Sequence, residues 1–150
     1  TIIRRFGGKE KLLEITWERL SQQITKRRQS MPGDIAGVVR AVVEDYDTVG
    51  DQIMRSLMQE ERFPALKAVN DRGRAYHRSW IEAAFSPQLA GLSAAGRRQA
   101  VDALVAATDL YTWKLVRRDM GRSAQTVRAV MTTLVEGALA SARAGKEIKA

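Results

Sequence analysis

The stretch "DIAGVVRAVVEDYDTVG", Asp34 to Gly50, decides the fold. Its valines invite a strand, because β-branched side chains fit a pleated surface. The spacing argues otherwise. Ile35, Val38, Val39, Val42, Val43, Tyr46 and Val49 recur at helical intervals, which gathers them on one face of an α-helix and would scatter them over both faces of a strand. The stripe also runs too long for one strand. Asp34 stands where an N-cap carboxylate accepts from the first free amides.

The same period holds on either side. Upstream, Leu13, Trp17, Leu20 and Ile24 predict a helix from Lys9 to Gln29, broken by "SMPGD". Downstream, Gly50 predicts a bend, followed by a short helix through Ile53, Met54, Leu57 and Met58. Phe63-Pro64 opens a long helix, proline being suited to a first helical turn. Its inner face reads Leu66, Val69, Gly73, Tyr76, His77, Trp80, Ile81 and Ala84, and Ser86-Pro87 ends it. "PQLAGL" reads as loop. Ser93 can cap a helix running to Met120, stopped by Gly121. Ser123 caps a last helix through Val127, Val130, Met131, Leu134, Val135, Ala138 and Leu139, ending near Gly145. The expected fold is all-α, a bundle of six helices.

At 150 residues, 45% hydrophobic and 28% charged, the chain has the composition of one globular domain with a real core. No apolar run approaches the roughly 18 residues of a membrane helix, so no membrane partner is expected and a cytoplasmic location is. The absence of cysteine excludes a disulfide framework, a thiolate metal site and a cysteine nucleophile. A net charge of +8 and a pI near 10.3 suggest a polyanionic partner. The excess is concentrated early: up to Ser30, eight basic residues face three acidic ones.

That basic start carries a resemblance. "TIIRRFGGKEKLL", Thr1 to Leu13, resembles the junction between the recognition helix and the regulatory domain of TetR-family transcriptional repressors. Phe6 matches the hinge aromatic, Gly7-Gly8 the turn, and Lys9-Glu10-Lys11-Leu12 the start of the next helix. Ile3 departs from the tyrosine most usual there, and Arg4-Arg5 stand where Tyr and His are common. "TDLYTWKLVRRDMGRS", Thr108 to Ser123, is similar to the penultimate helix and turn of some members. The resemblance implies that residues 1–8 are the end of a helix-turn-helix DNA-binding domain whose remainder precedes Thr1, and that 9–150 form a ligand-binding and dimerisation domain. It further implies phosphate contacts by Thr1, Arg4, Arg5 and Lys9, operator DNA as partner, and a homodimer through the last two helices.

Other chemistry is sparse. His77 is the sole histidine, so a multi-histidine metal site is excluded and a catalytic triad would have to use it. No nucleophile elbow, P-loop or metalloprotease motif accompanies it, and neither catalysis, a metal nor a cofactor is expected. Glu44, Asp45 and Asp47 read as a solvated face, and Trp17 as core. Tyr46, His77, Trp80 and Thr112 describe an apolar pocket with polar handles, which Met54 and Met58 could close and Asp109 could face. Its expected ligand is a small apolar or aromatic effector. Ala103, Ala107, Val127, Val130, Met131 and Leu134 are the expected dimer contacts.

The favoured function is therefore a ligand-responsive repressor. The alternative is a helical-bundle enzyme or carrier whose basic face binds an anionic partner.

Overall fold

The computed structural model describes residues 8–147, with side chains left aside for Lys9, Glu10, Leu13 and 145–147. Thr1, Arg4, Arg5 and the side chain of Lys9 thus lie outside the described residues. The chain forms α1 (Lys9–Arg27), α2 (Ile35–Leu57), α3 (Pro64–Ala84), α4 (Ser86–Leu89), α5 (Ala94–Ala107), α6 (Leu110–Lys114) and α7 (Ala124–Glu147), with α6 continuing as a π-helical turn, Leu115–Asp119. α4 is a single turn, and no strand occurs among the described residues. With that turn set aside, the described residues form an all-α bundle of six helices.

The expected caps are in place. Asp34 accepts from the Gly37 amide at 2.9 Å, Ser93 from Gly96 at 3.1 Å, and Ser123 from Thr126 at 3.1 Å. Each satisfies an amide that the first helical turn leaves free. The turn before α2 is also tied from outside. Gly33, at φ 89°, donates to the Ala84 carbonyl and accepts from Gln88 Nε2, both at 2.8 Å.

α2 supplies the centre of the core. Val38, Val39, Val42 and Val43 are buried, joined by Ile81 and Phe85 at the end of α3, Val101 and Leu104 of α5, Trp113 of α6, and Val127, Met131 and Val135 of α7. α7 packs against α5 and α2, and α3 against α2 and α5. α1 differs: its described side chains are half-buried or exposed throughout. Trp17, expected in the core, is half-buried and meets the Tyr76 ring edge-on at 6.4 Å.

Three assignments differ from expectation, the first being Ser86–Leu89, which forms the turn α4 where "PQLAGL" reads as loop. α2 runs through Gly50 without a bend, because the glycine there makes room instead of a turn. A Cβ at Gly50 would lie 2.7 Å from Cη2 and Cζ3 of Trp113. Conversely, the helix expected from Ser93 to Met120 breaks at Thr108. The buried Thr108 hydroxyl donates to the Leu104 carbonyl at 2.8 Å, and Asp109 starts a new helix by accepting from the Tyr111 amide at 2.8 Å. Thr112 Oγ1 takes up the Ala106 carbonyl at 2.7 Å. Thr and Asp side chains compete in this way with the helical ladder.

Candidate functional site

Among the described residues, the buried polar side chains of Arg28, Asp45, His77 and Thr108 meet at one position, just past the C-terminus of α1. Arg28 closes that helix, its amide donating to the Ile24 carbonyl at 2.8 Å. Its side chain then turns inward, and the residue is 6% exposed. Nε donates to Asp45 Oδ2 at 2.7 Å, and Arg27 Nε donates to Oδ1 of the same carboxylate at 2.5 Å. The guanidinium carbon lies 5.0 Å from the centre of the Tyr46 ring and 5.3 Å from that of Trp80, both within cation–π range. Trp80 Nε1 also donates to the Arg28 carbonyl at 3.1 Å. Side chain and backbone of Arg28 are thus fixed together.

The network continues through His77. Arg28 Nη1 approaches His77 Nδ1 at 2.8 Å. A guanidinium only donates, so Nδ1 accepts and the ring proton sits on Nε2. Nε2 in turn faces Thr108 Oγ1 at 3.2 Å. Burial, and then the charge of Arg28, lower the His77 pKa to about 3, which keeps the ring neutral. Burial also works against the charge on Arg28, but Tyr46 and Asp45 more than compensate, and its pKa is raised. Burial pushes the Tyr46 hydroxyl upward, with Arg28 opposing. Asp109 is likewise pushed up by burial, against the Tyr111 amide and the charges of Arg74 and Arg28.

Asp45 is therefore not part of a solvated face. It is completely buried and serves as counter-ion to two arginines from the end of α1. The residue falls on the same helical stripe as Val38, Val42 and Val49, and a carboxylate on an apolar stripe needs a cation.

The expected pocket residues divide. Tyr46, His77 and Trp80 do come together, but the Arg28 guanidinium sits among them. Thr112 is engaged with its own helix junction. Met54 packs against the core, whereas Met58 is 80% exposed and closes nothing. Asp109 is half-buried as the α6 cap. Among the expected dimer contacts, Val127, Met131 and Ala107 are buried in the chain's own core, while Leu134 is exposed and Ala103 and Val130 half-buried.

A second cluster joins α2 to the π-turn. Asp47 Oδ1 accepts from Trp113 Nε1 at 2.9 Å and from Arg117 Nε at 3.0 Å, and Asp51 holds Arg118 through two bonds of 3.0 and 2.9 Å. The wider turn brings Arg118 over the Trp113 ring, 4.7 Å from its centre, five residues on. Among the described residues, no three His, Cys, Asp or Glu side chains gather as a metal site, and no helix is long and apolar enough to cross a membrane. Compared with known family models, curated proteins and solved structures, the chain matches none.

Proposed function

We infer that this chain is the regulatory domain of a ligand-responsive, TetR-type transcriptional repressor, acting as a cytoplasmic homodimer and not as an enzyme. The observation that carries the reading is the attachment of α1. The helix that follows the Phe6-Gly7-Gly8 junction lies on the bundle's outside, and its C-terminal end is fastened by a buried ion pair. This arrangement suits a lever between a DNA-binding head and a sensing core.

In this mechanism the helix-turn-helix heads precede α1, and two of them contact successive half-sites of an operator. An effector acting around Arg28 biases the position of α1 and with it the head spacing. A ligand needs to favour one arrangement by only a few kcal/mol to empty the operator. The exposed apolar side chains Tyr111, Leu115 and Leu134 support an interface built from the α6 and α7 regions.

The test is a selection of genomic DNA fragments by the gene product carrying the encoded residues N-terminal to Thr1. A recurrent palindromic sequence is expected. Residues 1–150 alone should retain only weak, salt-sensitive attraction. Uniform binding by the longer chain, without sequence preference, overturns the reading.

A further inference from the structure

We propose that the box around Arg28 is a recognition site for a small organic cation of the guanidinium or amidinium class, and that Arg28 is the internal occupant such a ligand displaces. The inference rests on the regulator reading for its consequence at DNA, but not for the binding itself.

Four groups of the box favour a positive charge. Asp45 is a fully buried carboxylate. The Tyr46 and Trp80 rings face the guanidinium at 5.0 and 5.3 Å, and aromatic faces attract cations. His77 presents an acceptor nitrogen at 2.8 Å from the guanidinium. Its proton is committed on the side of Thr108. A neutral aromatic ligand would leave the Oδ2 side of Asp45 without its charged partner. A flat cation would restore the guanidinium's contacts with Asp45, His77 and the two rings. The site therefore selects charge first and shape second.

Arg27 makes the exchange feasible. It holds Asp45 Oδ1 from a more exposed position, its side chain 26% accessible. When Arg28 withdraws, the carboxylate keeps one cation throughout, and the bare buried charge that makes ion pairs costly to break does not arise. The internal occupant is tethered, so a free ligand competes with a high effective concentration and must gain from contacts Arg28 lacks, such as an aromatic group stacked on Trp80.

Displacement has a mechanical result. The Arg28 side chain and its carbonyl are held by the same box, the latter by Trp80 Nε1. A ligand that takes the side chain's place loosens the C-terminal end of α1.

The probe is phenylguanidinium, with phenylurea as its neutral counterpart. In the Arg28→Ala chain the box is vacant, and phenylguanidinium should raise the melting temperature by roughly 3–6 °C at about tenfold its dissociation constant. Phenylurea should not, and Arg28→Ala/Asp45→Asn should lose the response. In the wild-type chain, amide exchange within α1 should quicken about tenfold under phenylguanidinium alone. Equal effects of phenylurea and phenylguanidinium overturn the proposal, as does unchanged α1 exchange at concentrations that saturate Arg28→Ala. Should Arg28→Ala not fold, the wild-type exchange decides by itself. Neither readout involves DNA, so failure here and failure to find an operator are separate results.

Discussion

His77 and Asp45 carry opposite duties around one arginine, and each leads to a measurable dependence. The His77 pKa near 3 lies below the value of about 6.5 expected in an unfolded chain. Between these values the unfolded state binds the extra proton, so stability is full above pH 6.5 and declines as the pH falls toward 3. The loss from pH 7 to pH 5 should be about 2 kcal/mol in urea titrations. His77→Gln, whose carbonyl can still accept from Arg28, should flatten that slope. Asp45→Asn acts on charge instead. Two arginines would face a neutral amide, one of them 6% exposed, and the cost should be about 3–5 kcal/mol at neutral pH. A cost near zero in the same titration would mean that Arg28 had swung out to solvent.

At the scale of elements, the α2–α6 contact is set by the missing side chain of Gly50. A methyl group there would meet the rigid Trp113 ring at 2.7 Å, and Trp113 is wholly buried and hydrogen-bonded to Asp47. Gly50→Ala should therefore cost about 1–3 kcal/mol despite alanine's better helix propensity. Pairing it with Trp113→Phe should recover part of the loss, a coupling that a double-mutant cycle measures. The sequence made the helices legible where cap and stripe agree, as at Asp34, Ser93 and Ser123. It misled at Gly50, where local propensity suggests a bend but a ring from 63 residues later requires the gap. The break at Thr108 was written in "TD", yet an unbroken apolar stripe on both sides concealed it. Of the site, Tyr46, His77 and Trp80 were readable as aromatic or polar residues on inner faces. Arg28 was not, since it belongs to the run Lys26-Arg27-Arg28 and its partner is 17 positions away. The available signal was Asp45, a charge on the valine stripe.

For the whole molecule, the remaining question is assembly. Leu134 is 44% exposed on α7, and Tyr111 and Leu115 are 56% and 48% exposed at α6 and its continuation. Their neighbours Val127 and Met131 are already committed to the chain's own core. A charge at Leu134 should consequently separate subunits without unfolding them. The parent chain is expected to sediment as a dimer at micromolar concentration, and Leu134→Glu as a monomer with unchanged helical circular dichroism. A monomeric parent would remove the proposed interface.

The position of the Arg28 anchor has a geometric consequence. α1 contains 19 residues, a rod of about 28 Å at the helical rise. It is fastened beyond its last residue, so a tilt about that end would move the rod like a hand on a clock. An angle of about 10° sweeps the Gly8 end through roughly 5 Å. Shifts at the box too small to disturb the core would thus arrive at the other end as displacements comparable to a helical turn. In a symmetric pair, two such arcs would change the separation between whatever the two rods carry.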